Sequence, residues 1–344
     1  MGNSTVQASI LVVSRTAELL SRLLASLDQG YSGEAGSIEV LASWNGSAEA
    51  EQAIQPGRLP FRIAQRVPYH FAGNMNGLAR QARGDVLIFA NDDLIVDPGS
   101  IDAALDRLAT RPEVGLVGAQ LRTSDGGLAH AGIHFTSYGS PYHQLEHFAS
   151  ADHPSMQRER LVPAVTGAFF AMRREEFLQL ELAESFQVCG EDILLNLQTR
   201  SLLHKQVLYC PAMRGVHNAE STRSQFEEQQ GNDDDMKRMR AGWREMLQRA
   251  DRDSLLVELQ AAQDEAEDLR AIVLASTAGT AEMQRELAEL RSTTQEQARS
   301  QARLQAEQTQ QQLQHSLLER ENRRLRSRVQ QLENQLARTS RQAV

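Results

Sequence analysis

Asn91-Asp92-Asp93 follows directly on the apolar run Val86-Leu87-Ile88-Phe89-Ala90, which places two carboxylates at the carboxyl end of a buried strand. In open α/β sheets ligands collect there, because loops leaving the strand tips line a crevice where the strand order reverses. Carboxylate oxygens suit hard cations such as Mg²⁺ or Mn²⁺, which take few protein ligands and complete their shells with water and substrate phosphates. The chemistry suggested is metal-assisted handling of a nucleotide. Other reactive-looking groups carry simpler readings. Glu191-Asp192 opens a helical pattern, where the macrodipole favours acids whatever else they do. His143-Gln144-Leu145-Glu146-His147 has the form of the inverted zinc-protease motif, but the stretch between Pro141 and Pro154 shows no helix to bring both histidines to one face. Asp233-Asp234-Asp235 reads as a solvated charge run and Asp125-Gly126 as a turn.

The elements that must position Asp92 and Asp93 follow from hydrophobic periodicity. Residues 9–14 form a short β-branched run, residues 18–27 a helical pattern, and residues 37–42 a second run ending in Trp44-Asn45-Gly46-Ser47. Residues 74–83 read as a helix, broken by Gly84-Asp85 before the acidic strand. A helix over 101–109 and a strand over 114–118 complete a nucleotide-binding α/β half. Beyond Gln120 strands are expected at 132–135 and 206–209, helices at 174–182 and 192–202, and a long loop over 141–156.

Composition sets a boundary. The last proline is Pro211, the last aromatic Trp243, and Gly279 the only glycine after Gly242, so the globular part is expected to span residues 1–250 and a helical tail residues 251–344. With 36 basic and 45 acidic side chains the net charge is −9, and residues 251–344 hold 13 Arg against 15 Asp and Glu, so neither part is a basic nucleic-acid binder. No apolar run is long enough to span a bilayer and no secretory leader pattern opens the chain, which favours a cytosolic protein. Cys189 and Cys210 fit free thiols in a reducing compartment. The glycosylation-like triplets Asn3-Ser4-Thr5 and Asn45-Gly46-Ser47 then carry no meaning, and Val6 spoils a myristoylation signal.

With Leu259 at heptad position a and Leu255 at d, one register runs unbroken to Leu336, and 15 of its 24 a and d sites are apolar. Asn322 at a is a device for fixing two strands in register, and the pairs Glu265 with Arg270, Glu286 with Arg291, Glu321 with Arg326, and Arg328 with Glu333 have opposite sign across a parallel dimer. A parallel homodimer through residues 255–336 is expected; a single solvated helix is the alternative, favoured by the polar seam over 294–315.

The order of pieces over residues 9–223 resembles glycosyltransferase family 2. The pieces are Ile10-Leu11-Val12-Val13-Ser14, Asn45-Gly46-Ser47, Phe71-Ala72-Gly73-Asn74-Met75-Asn76, Ala82-Arg83-Gly84-Asp85 and Val86 to Asp93. Ser124-Asp125-Gly126, His130-Ala131-Gly132, Thr166-Gly167-Ala168, Met172-Arg173-Arg174, Gly190-Glu191-Asp192, Pro211-Ala212 and Val216-His217 complete the series. The Asn-Asp-Asp and His-Ala-Gly blocks are most similar to the rhamnosyltransferase-like branch that builds bacterial surface polysaccharides.

The resemblance implies an α/β GT-A fold, a mixed and mainly parallel sheet flanked by helices, with inversion at the anomeric carbon. It places Asp93 and His217 on a divalent metal that holds the donor's diphosphate, and Asp192 as the base that deprotonates the acceptor hydroxyl. Ser14, Trp44, Asn45, Asn76, Asp92 and Asp93 would line the nucleotide-sugar site; Thr166, Gly167 and Glu191 would face the acceptor. The 141–156 loop is expected near that acceptor. Two positions depart from the family. Asn91 replaces the first acid of the metal motif, and Trp44 stands where an Asp usually lies near the nucleobase, so that its indole either stacks on a base or packs in the sheet. The leading expectation is a metal-dependent transferase acting on a glycan or lipid-linked glycan. A lipid-linked acceptor would have to be met by a peripheral protein at the inner membrane face, though no basic amphipathic anchor is evident. The rivals are a coiled-coil scaffold with an inactive or merely sugar-nucleotide-binding domain, and a hydrolase or nucleotidyltransferase with the same metal arrangement.

Overall fold

A computed structural model describes residues 6–217 and 232–341. The Asn3-Ser4-Thr5 triplet and the end of the family-like stretch past His217 lie outside the described residues, as do the side chains of the seam residues Leu318, Leu325, Val329, Leu332 and Leu336.

The strands are β1 (Ala8–Ser14), β2 (Ile38–Trp44), β3 (Phe61–Gln65), β4 (Val86–Asn91), β5 (Leu94–Val96), β6 (Val114–Arg122), β7 (Leu128–His130), β8 (Ile133–Phe135), β9 (Pro141–His143), β10 (Arg160–Leu161), β11 (Phe169–Arg173) and β12 (Gln206–His217). The helices are α1 (Ala17–Gly30), α2 (Ala48–Glu51), α3 (Phe71–Gln81), α4 (Ser100–Thr110), α5 (Arg174–Leu180), α6 (Glu191–Ser201), α7 (Asn232–Arg249) and α8 (Arg252–Arg341). The main sheet runs β10-β12-β6-β11-β4-β1-β2-β3, with β5 added to β12 and β7 to β6. Strands β3, β2, β1 and β4 are mutually parallel, and β11 lies antiparallel between β4 and β6. This is the mixed, mainly parallel sheet expected of the GT-A fold.

Burial on both faces explains the continuous apolar runs of β1 and β4. Ile10, Val12, Ile88 and Ala90 face the layer of α1 and α4, while Leu11, Val13, Leu87 and Phe89 face α3 and α5. From β1 the chain builds outward through β2 and β3, then returns to place β4 on β1's other side, so the switch point lies between the tips of β1 and β4. Arg83-Gly84 secures the entry to β4. Arg83 pairs with the buried Glu39, and Gly84 lies so close to the Ala8–Ser9 backbone that no Cβ fits. Between Cys210 and Arg214 the register of β12 shifts, a bulge that absorbs Pro211 and lets the strand continue to His217.

The compact unit extends to Ile272, beyond the boundary expected near residue 250. The reason is one face of the first turns of α8. Glu258 pairs with the buried Arg200 at 2.5 Å, Asp268 with Arg160 at 3.4 Å, and Ala261, Leu269 and Ile272 pack inward. Glu265 accepts from His134 Nδ1 at 2.9 Å and from the Tyr142 hydroxyl at 2.7 Å. This helical spacing makes residues 252–272 part of the globular unit. It also removes one expected dimer contact, because Glu265 is engaged within its own chain and is not available to Arg270 of a second copy. Val273–Val344 form the second unit. Among the described residues no helix is long and apolar enough to cross a membrane.

Candidate active site

At the switch point the Ser14 hydroxyl, last in β1, donates to Asp92 Oδ2 at 2.7 Å. Burial pushes the Asp92 carboxyl up to about 6, helped by the neighbouring Asp93 charge and opposed by the Ser14 bond and Arg15. One residue on, Asp93 Oδ1 faces His217 Nε2 at 3.2 Å, the two side chains only 6% and 14% exposed. They meet because β5 pairs with the end of β12, with Leu94 directly opposite His217. Asn91 Nδ2 lies 3.5 Å from the same imidazole nitrogen.

A carboxylate oxygen from the β4–β5 turn and an imidazole nitrogen from the end of β12 thus converge, a donor pair suited to one edge of a divalent cation. Among the described residues no group of three or more His, Cys, Asp or Glu is placed to enclose a metal ion. Two protein ligands fit a cation whose remaining sites are filled by diphosphate oxygens and water.

Asp192 lies in the first turn of α6, which Glu191 opens after the left-handed Gly190. Its Oδ1 accepts from the Ile193 N–H at 2.7 Å and its Oδ2 from the Gly167 N–H at 2.5 Å. A Cβ on Gly167 would stand 2.9 Å from that of Asp192, so glycine is what permits this approach. Asn196, one turn on in α6, fixes Val165 by bonds to both its N–H and its carbonyl. The carbonyl of Ala168, the residue after Gly167, accepts the Asn91 N–H at 2.9 Å. The start of β11 after Gly167 is therefore paired with the end of β4, so Gly167, which holds Asp192, stands beside the turn that carries Asp92 and Asp93.

Thr166 connects to a histidine pair. Its N–H points to His130 Nε2 at 3.3 Å, and His130 Nδ1 lies 2.9 Å from His143 Nδ1. With Nε2 accepting, Nδ1 of His130 carries the proton and donates to His143. Burial, then the charges of His143, His217 and His134, hold His130 well below the ordinary histidine range. His143 lies in β9 rather than a helix, and exposed His147 has a left-handed φ of 65°, so the zinc-protease geometry is absent.

Several sequence-derived positions take other places. Trp44 is 2% exposed, donates from Nε1 to the Ser47 carbonyl and lies beneath Gly46; it packs in the sheet and has no free face for a nucleobase. The Asn76 amide is occupied by both polar backbone groups of Leu182 at 2.9 Å, so it ties α3 to the segment before α6 instead of lining the donor crevice. Asn45 lies at the tip of β2, donating to the Val67 carbonyl and accepting from Asn74 at 3.4 Å. Surrounding protein first, then the charges of Glu191 and Asp92, push the Tyr69 hydroxyl above its ordinary value while Arg15 pulls it down. Neither Tyr69 nor Arg15, whose charges and dipoles act on these carboxyls, is singled out by the sequence. Arg15 has only its place directly after β1 as a signal, and Tyr69 has none.

Residues 19–243 match the family model described as glycosyltransferase like family 2. The chain is similar to the O-antigen biosynthesis protein of Myxococcus xanthus, 37% identical over 137 residues that make up 38% of this chain and 11% of that protein. It is also similar to an uncharacterised protein of Sinorhizobium fredii, 29% identical over 201 residues, 55% of this chain and 22% of that one. The matched stretches thus span only about a tenth and a fifth of these relatives' lengths. Among solved structures, a mannosyltransferase from Pyrobaculum calidifontis in complex with GDP-mannose and Mn²⁺ aligns with TM-score 0.46 and 13% identity over 79% of each chain. A glucosyl-3-phosphoglycerate synthase from Mycobacterium tuberculosis aligns with TM-score 0.46 and 15% identity, over 72% of this chain and 80% of that one.

Proposed function

The chain belongs to the glycosyltransferase-like family 2, and from that membership we propose that it is an inverting, metal-dependent transferase moving a sugar from a nucleotide-diphosphate donor to a glycan or lipid-linked glycan hydroxyl. The observation that carries the reading is the convergence of Asp93 and His217 beside Ser14 and Asp92, one strand away from Asp192.

Asp93 and His217 would hold a divalent cation, which when bound would supply charge compensation for the departing diphosphate. Asp192 takes the proton from the acceptor hydroxyl as its oxygen forms the new bond to the anomeric carbon and the bond to the diphosphate breaks. The Gly167 N–H fixes the carboxylate for that transfer. Thr166 and Glu191 flank the acceptor. Likeness to an O-antigen biosynthesis protein supports surface polysaccharide as the product class, and rhamnose is the first donor sugar to test.

The tail reading is a parallel homodimer. Its support is an exposed apolar row at a and d positions: Leu255, Leu259, Val273, Met283, Leu287, Leu290 and Leu304.

The test is nucleotide release from a panel of nucleotide sugars with glycan acceptors, comparing the native chain with Asp192→Asn. The reading expects turnover to fall by a factor on the order of 10³ with diphosphate binding retained, as for loss of a general base. Equal turnover in the variant would remove Asp192 from that role.

A further inference from the structure

Asp235, in the first turn of α7, is an acid that the sequence presents as part of a solvated run of three. In the fold it is fully buried. Its Oδ2 accepts from three consecutive backbone N–H groups, those of Gln187 at 2.9 Å, Val188 at 2.7 Å and Cys189 at 3.4 Å. Its Oδ1 accepts from Arg238 at 2.9 Å. Successive N–H groups curled around one anion form a nest, a backbone shape that needs the anion to offset its converging dipoles. Immediately after the nest comes Gly190, at φ 108°, and then Glu191-Asp192. A side chain on Gly190 would meet the Phe186 ring at 2.9 Å, so this turn has little room to relax.

We propose that Asp235 is a positioning residue for the general base: it anchors residues 187–189 and thereby sets the left-handed turn from which Glu191 and Asp192 project. The proposal rests on the assignment of Asp192 as base. Two independent contacts then define the base. Gly167 holds the carboxylate itself, while Asp235 holds the backbone that delivers it. The anchor is rigid because α7 packs on α6 through Met239 and Met246 against Phe186, Ile193 and Leu197. A helix that follows the family's metal-side histidine in sequence thus governs the placement of the catalytic carboxylate.

The experiment uses the full chain, native and with Asp235→Asn or Asp235→Ala. Asp235→Asn preserves shape and one acceptor oxygen but removes the charge, so it keeps the test open if the alanine variant fails to fold. Hydrogen exchange of the peptide covering residues 186–192, measured without any ligand, should speed up by about tenfold or more in Asp235→Asn, while peptides of β1 and β4 keep their protection. With the donor that the native chain turns over, kcat should drop by about tenfold or more at a nucleoside-diphosphate Kd within about twofold of native, since small displacements of a reacting group are costly. In an Asp192→Asn background, Asp235→Asn should lower kcat no further, because an absent base cannot be misplaced. Unchanged exchange at 186–192 in a folded variant would overturn the proposal. So would exchange rising equally throughout the unit, or losses that appear only in Kd. Should the native chain turn over no donor at all, the transferase reading fails, and with it the role of base; the exchange result then still decides whether Asp235 sets the loop.

Discussion

Replacing Glu265 with alanine tests whether the first turns of α8 belong to the globular unit. The Glu265 carboxylate is the acceptor for the His134 ring N–H and the Tyr142 hydroxyl, both at one oxygen. Each hydrogen bond to a charged acceptor contributes about 1.5–3 kcal/mol, and two donors sharing one oxygen are not additive, so the loss is about 2–4 kcal/mol. Urea denaturation followed by tryptophan fluorescence is the assay, since Trp243 stacks on Phe135 next to His134. In a unit of this size the melting temperature should fall by about 5–15 °C. A pH series adds a signed check. Burial would raise the Glu265 carboxyl, but the bonds from His134, Tyr142 and the Leu145 N–H outweigh it and hold it below its ordinary 4.5. Its stabilisation is therefore fully present above pH 4.5 and lost as pH falls through the lower folded value, so the gap between native and Glu265→Gln should close in that range. A change under about 0.5 kcal/mol at neutral pH, the level of an ordinary surface substitution, would refute the docking.

A chain ending at Ile272 should fold and be monomeric, whereas one ending at Ala250 leaves Arg200, Arg160 and His134 uncovered and should melt lower or aggregate; light scattering and calorimetry check both, and a dimer lacking residues 273–344 would contradict the coiled-coil assignment. Gly167→Ala should leave the fold intact but displace Asp192, lowering kcat by a factor of about 10², with Kd for nucleoside diphosphate unchanged; native turnover would show that the Gly167 contact is dispensable.

What the sequence reveals depends on how local the cause is. Strands β1 and β4 are legible because burial on both faces makes them unbroken apolar runs, and the acids at the tip of β4 inherit their meaning from that strand. Strand β11 is not, because its place between β4 and β6 comes from long-range antiparallel pairing that leaves no period in five residues. Residue His217 reaches Asp93 only through the bulge at Pro211, a residue that locally argues for ending the strand. Trp44 looks like a ligand platform by position, yet the turn over its ring decides otherwise. Asp235 and Glu265 sit in segments whose composition reads as solvated, and each is buried by a partner distant in sequence. In both, charge alone says surface; only the convergent donors explain burial.

The proposed activity requires a metal-dependent nucleotide-diphosphate site at Asp93 and His217. The most direct measurement is thermal stability of the purified chain with uridine, thymidine and guanosine diphosphates, each with Mn²⁺ or with chelator, for the native protein and for Asp93→Asn and His217→Ala. Ligand at 100 times Kd stabilises the native state by about 2.7 kcal/mol. A site of this kind should give a shift for one nucleotide that needs Mn²⁺ and is lost in both variants. Absence of a metal-dependent shift with every nucleotide at saturating concentration, or the same shift in both variants, would contradict it.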